Sequence, residues 1–295
     1  MFRNFSAGAL GVSGTTSEMI ELALSFGFKG LDLDVVELAR QAEASSLDKV
    51  RRPYDSARLK FGAFRLPVEW HEDSERLKHD LAALPAYLEV AKAVGCTRAI
   101  TTVEPAGDMR PYHENFEYHR RTLEELAKAT DAYGIQLGIE FVAPLSHRQN
   151  RAFQFIQTVD QFLLLFKSTH AQNLGIVLDT WNWHLGGGTQ EYLQAIEGEK
   201  IVAVYLADCD PEVTSAVATE AAQRLPGETG VIDCSVILTT LAEKGYTGPV
   251  TPYAFRGNLA GQGRDKIVKA ASAALDQVWK QAGLNSQGKL TAVAK

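Results

Sequence analysis

One pattern constrains this chain more than any other: a strand-like run followed by an amphipathic helical stretch, recurring about eight times without interruption. Successive strands joined by helices must run parallel, because only a long crossover returns the chain to the same end of the sheet. Strand candidates are Ala7 to Val12, Gly30 to Val35, Leu59 to Leu66, Arg98 to Val103, Ile135 to Val142, Leu174 to Asp179, Ile201 to Ala207 and Pro249 to Phe255. Eight such units, with no Pro/Ser/Gly-rich linker between them, predict an α/β fold, a single (β/α)8 TIM barrel, over a doubly wound sheet. The 295 residues suffice for one barrel of roughly 250. The barrel is expected over residues 1–282, with a polar, weakly patterned tail at 283–295 that should fray.

Helix signals agree with this layout. Thr15 and Glu18 have capping-box spacing at the head of a helix that Gly27 ends. Thr158, Thr189 and Asp233 are placed as N-caps, and Gly134 suits a C-cap behind the stripe Leu123, Leu126 and Ala127. Leu77, Leu81, Leu84 and Leu88 share one face, although Pro85 should kink that helix or open a second one.

Charge and hydropathy narrow the function classes. Lys+Arg 30 against Asp+Glu 36 gives a net charge of -6, without the basic footprint of phosphate-backbone binding, so no nucleic-acid partner is expected. No apolar run, Phe162 to Phe166 included, approaches the roughly 18 residues of a membrane span. The first residues carry no apolar stretch of secretory length, and three widely spaced cysteines make no CxxC or Cys/His pattern. A cytoplasmic protein with reduced thiols is expected.

In such a barrel the chemistry sits where strands end, so the inward polar residue closing each strand is informative. Alternation places Ile135, Leu137, Ile139 and Phe141 toward the helices and Glu140 inward. The same parity turns Asp179 inward on the next strand. It sets Val202, Val204 and Leu206 outward with Tyr205 inward, and puts Tyr253 on the inward face with Thr251. A lone acid at a strand end is often only a helix cap, whereas two on adjacent strands point to a site. Glu140, Asp179 and Tyr253 are the catalytic candidates.

Glu104 and His113, following the fourth strand, are candidate substrate contacts, as is His147 beside Arg148. The run Trp181 to Thr189 offers Trp181, Asn182 and His184 with a glycine tract, which suits a small polyol through stacking and directional hydrogen bonds. The alternative is a glycine-rich connection with packed tryptophans, and Thr189 is a candidate anion cradle. Arg224 heads a loop to Asp233 that could cover the mouth and contact an anion. Asp208 reads as a turn or cap residue, Asp32 and Asp34 as a structural pair, and His71, His79 and His119 as solvated. No nucleotide cofactor is expected.

At these residues the chain resembles the xylose-isomerase-like TIM barrels. The resemblance rests on Gly138-Ile-Glu140, Leu178-Asp-Thr-Trp181, Val204-Tyr-Leu-Ala-Asp208, Leu225 to Asp233 and Gly245-Tyr-Thr-Gly-Pro249. It implies a sugar or polyol isomerase or epimerase, commonly with Mn²⁺ or Mg²⁺ held by a Glu, an Asp, a His and a second Glu. Glu140 matches the first Glu and Asp179 the Asp, so these two are the implied metal ligands. Tyr205 stands where the His is expected, Tyr253 where the second Glu is expected, and Asn182 replaces a further His. Neutral phenols are poor ligands for Mn²⁺ or Mg²⁺, so weak metal affinity or none is expected. The expected reaction is proton transfer beside a carbonyl, with Glu140 as base, Asp179 orienting hydroxyls and a Tyr donating. A keto-sugar or keto-inositol dehydratase or lyase would share the first step, and a non-catalytic carbohydrate-binding barrel is the reading from another class. The partner expected is a small sugar or polyol, with homo-oligomerisation by analogy.

Overall fold

Eight strands pair side by side and in parallel around a ring: β1 (Phe2–Phe5), β2 (Gly30–Leu31), β3 (Lys60–Phe61, resuming as Phe64–Arg65), β4 (Arg98–Val103), β5 (Gln136–Phe141), β6 (Leu174–Asp179), β7 (Ile201–Leu206) and β8 (Pro249–Pro252). The computed structural model describes residues 1–71 and 74–291. The first half of β3 pairs with β2 and the second half with β4, so both ends of the sheet are one strand and the barrel is closed. The break falls at Gly62 and Ala63, where the Asp32 carboxylate accepts the Ala63 amide at 3.0 Å. A Cβ on Gly62 would lie 2.3 Å from that same carboxylate oxygen, so the close approach requires glycine.

The helices lie outside. They are α1 (Thr16–Ser25), α2 (Val35–Ala44), α3 (Leu47–Ala57), α4 (Ser74–Val94), α5 (Tyr112–Asp131), α6 (Val159–Ser168), α7 (Thr180–Leu185), α8 (Gln190–Ala195), α9 (Cys234–Glu243) and α10 (Arg264–Gln281). Thr15 and Thr158 form complete capping boxes, and Thr189 and Asp233 cap α8 and α9 as their spacing predicts. Among the described residues no helix is long and apolar enough to cross a membrane. Ala63, Ile100, Val177, Ala203 and Tyr205 pack together inside the barrel, below a polar layer at the strand ends.

Several expectations are corrected. The first strand is Phe2–Phe5, not Ala7 to Val12; Gly8 and Gly11 weaken strand pairing there, and the segment closes a turn with Val12 donating to the Ala7 carbonyl. Pro85 does not open a second helix: α4 runs through it, with Leu84 and Leu88 buried on the barrel side. A bulge between Ile201 and Ala203 turns Val202 toward Gly138 and Gly175 inside the barrel, not outward. His119 is buried, not solvated: it sits between Trp70 and Phe155, its Nδ1 donates to the Asn115 carbonyl at 2.9 Å, and burial pushes its pKa down to about 3. His71 is also engaged, with Nε2 2.7 Å from the Thr102 carbonyl. Asp34 caps α2 and Asp32 faces the interior, so the two are not a pair. Residues 283–291 do not fray. Leu284 bridges to Leu290, and the Trp279 indole donates to the Asn285 carbonyl at 2.9 Å. Residues 292–295 lie outside the described residues.

Candidate active site

The C-terminal ends of the strands surround a cavity of about 880 Å³. Period-two alternation delivers one inward side chain per strand end: Ser6, Asp32, Arg65, Thr102, Glu140, Asp179, Tyr205 and Tyr253 all line it. Glu104, His147, Trp181 and Asn182 line it as well, so eight sequence-predicted residues converge: Glu104, Glu140, His147, Asp179, Trp181, Asn182, Tyr205 and Tyr253.

Glu140 is 7% exposed, and its Oε1 accepts from Arg65 at 3.1 Å and from the Thr102 hydroxyl at 2.8 Å. Among the described residues Oε2 has no hydrogen-bond partner, both contacts falling on Oε1. Asp179 on the adjacent strand accepts the Trp181 and Asn182 amides at 2.9 and 3.1 Å, so it also caps α7. Burial, then the Glu140 charge, pushes its pKa up to about 7. Two amide bonds do not cancel the loss of solvent around a fully enclosed carboxylate.

The two phenols meet edge to face with ring centres 5.8 Å apart. Burial raises both hydroxyls above the ordinary tyrosine value, with the Asp32 and Glu140 charges adding for Tyr205 and Asp179 and Glu140 for Tyr253. Each is therefore a donor at neutral pH. Asp32 holds Tyr205 at 3.4 Å while accepting from Asn4 at 2.7 Å.

The remaining predicted contacts are tied up by protein partners or lie outside the cavity. Asn182 lines the cavity, but its Oδ1 is taken by the Ala143 amide at 3.0 Å, which ties α7 to the segment after β5. His184 and His113 are exposed and line no part of the cavity. Arg224 is paired with Asp210 at 2.6 Å, also outside the lining. His147 does reach the rim and meets Glu220 at 2.5 Å, joining the segments after β5 and β7 above the opening. Sequence reasoning missed Arg65, Thr102 and Glu220. Arg65 had a signal, as the last polar residue before Leu66-Pro67 closes its strand.

The closed ring of parallel strands, with carboxylates and phenols at their C-terminal ends, defines a (β/α)8 barrel with an enzyme-like mouth. The chain belongs to the xylose isomerase-like TIM barrel family, whose model matches residues 20–278. It is 28% identical over 134 residues to an inosose isomerase of Bacillus subtilis (strain 168), a stretch covering 45% of each chain, so it matches about half that relative's length. In fold it is similar to a xylose isomerase domain protein from Alicyclobacillus acidocaldarius, with a TM-score of 0.83, 20% identity, and coverage of 96% of this chain and 99% of that one. It is also similar to the IolI protein with a bound zinc atom, with a TM-score of 0.79, 20% identity and coverage of 96% and 99%. At that identity the two structures show the fold.

The donor set here does not fit a divalent metal. Glu140 already faces the guanidinium of Arg65, both phenols are held protonated, and one Asp179 oxygen is committed to two amides. Among the described residues no three His, Cys, Asp or Glu side chains converge as a cage. A fixed positive charge on the first carboxylate opposes a second cation there.

Proposed function

We propose that this protein is an isomerase or epimerase of a small keto-sugar or keto-polyol, moving a proton at the carbon beside the carbonyl. The observation that carries this reading is the convergence of Glu140 and Asp179 from adjacent strands onto one cavity faced by two protonated phenols. The similarity to an inosose isomerase supports the substrate class.

In this reading Oε2 of Glu140 takes the proton, the C–H electron pair forms the carbon–carbon double bond, and the carbonyl oxygen becomes an enediolate oxyanion. Tyr253, whose hydroxyl has no protein partner among the described residues, and Tyr205 donate to substrate oxygens. Asp179, poised near pH 7, exchanges a proton with a substrate hydroxyl and sets its orientation. Trp181 supplies an apolar face for the C–H side of the ring.

The test is deuterium uptake at the carbon beside the carbonyl, followed by NMR in D₂O over a panel of inososes and ketohexoses. Wild type should exchange at least one of them. Glu140→Gln should lower the rate by at least about 100-fold while ligand affinity stays within a few-fold. Loss of binding together with exchange, or no exchange by wild type on any ketose, would sink the enzyme reading and leave a carbohydrate-binding barrel.

A further inference from the structure

The charge that Glu140 faces comes from the protein itself. Arg65 donates through one terminal nitrogen to Glu140 at 3.1 Å and through the other to Thr102 at 3.2 Å, while Thr102 donates to the same Glu140 oxygen at 2.8 Å. These three residues lie on three strands, β3, β4 and β5, and the backbone beneath them is fixed. Arg65 is in register with Ile100, and the Ala63 amide two residues earlier is held by Asp32. The guanidinium uses two of its five N–H donors in these contacts, and the side chain is 66% exposed to the open mouth. Glu140 strengthens its hold on its proton, so it stays cationic throughout the working range.

We propose that Arg65 is the resident cation of this site, doing for the substrate oxyanion what a divalent metal would do, and that it makes the protein metal-independent. The inference rests on the proton-transfer reading above. When Glu140 removes the proton, negative charge develops on the former carbonyl oxygen, beside a neighbouring hydroxyl oxygen on the next carbon. A planar guanidinium presents parallel N–H donors to two such adjacent oxygens, which an ammonium cannot do. The charge is already in place and needs no reorganisation as the oxyanion forms. Glu140 then returns the proton to the neighbouring carbon as Asp179 passes the hydroxyl proton between the two oxygens, and Arg65 is unchanged.

Two measurements test this. Mn²⁺ binding to wild type prepared without chelator is followed by electron paramagnetic resonance, a readout that needs no substrate. Wild type should show no saturable binding and should exchange its ketose equally well after EDTA. Saturable Mn²⁺ binding that Glu140→Gln removes would overturn the proposal. In the second, Arg65→Ala should exchange at least about 100-fold more slowly, with added guanidinium chloride restoring part of the rate, and Arg65→Lys should fall between. An Arg65→Ala protein that exchanges at the wild-type rate would overturn it. If wild type exchanges no ketose, the proposed function fails by itself, and the Mn²⁺ measurement still decides what Arg65 is.

Discussion

Two buried side chains give opposite pH dependences. Asp179 titrates near 7 in the native state against 3.8 for an ordinary aspartate, so between about pH 4 and 7 the native chain keeps a proton the unfolded chain has released. Its contribution is present at low pH and is lost as pH rises through that window. His119 is held down to about 3 against 6.5, so the unfolded chain takes up a proton that the native chain refuses, and stability falls as pH drops below about 6.5. The two trends oppose one another, which predicts a flat wild-type profile between about pH 4.5 and 6.5. Urea unfolding should show stability rising with pH in Asp179→Asn, where only the histidine trend remains, and falling with pH in His119→Phe. Unchanged slopes in both variants would mean that neither group is buried as described.

At the scale of elements, the segment from Leu225 to Asp233 is organised by one carboxylate. Asp208 is fully buried and accepts the amides of Cys209, Thr229, Gly230 and Ile232 at 2.8, 2.9, 2.7 and 2.9 Å. Loss of solvent pushes its pKa up, but the four amides outweigh that and hold it below the usual range. Asp208→Ala strands those donors and should cost about 3 kcal/mol or more in urea unfolding, with the Asn variant losing less. Asp208 reads from the sequence as a local turn or cap residue, but it lies in the short strand Asp208–Cys209 and holds amides of a remote loop, a long-range role that local spacing does not mark. Glu140, Asp179, Tyr205 and Tyr253 were legible, because a period of two leaves no choice of face once the apolar set is known. The bulge at Val202 was not, since Ile201-Val202-Ala203 is apolar throughout and alternation has nothing to mark. Arg65 was obscured by the break at Gly62–Ala63, which interrupts the alternation of its strand. His184 follows the carboxylate-capped start of α7 closely in sequence, but a six-residue helix turns it out to solvent while Asn182 stays buried.

For the molecule as a whole, the ring of eight strands is closed by pairing, and the C-terminal residues finish its lower end. A Cβ on Gly288 would meet the Met1 carbonyl at 2.2 Å, so residues 283–291 lie against the start of β1 and cover Trp279, itself 4% exposed. Removing residues 283–295 should expose that indole, leave its N–H without its carbonyl partner and lower stability by about 1–3 kcal/mol, read as a fall in Tm and a red shift of tryptophan emission. A truncated chain with wild-type Tm and emission would show that the cover is only loosely applied. Sequence polarity did not reveal this segment's docking, because apart from buried Leu284 its hold comes from backbone hydrogen bonds and from glycine's small size, and a single leucine makes no hydrophobic pattern. The same contact places Met1 and Gly288 together on the face opposite the mouth. A tether, dye or fusion partner attached beside it, at the exposed Ser286 or Gln287, would stand behind the barrel, and the protein could be displayed on a support with its opening free to passing solutes.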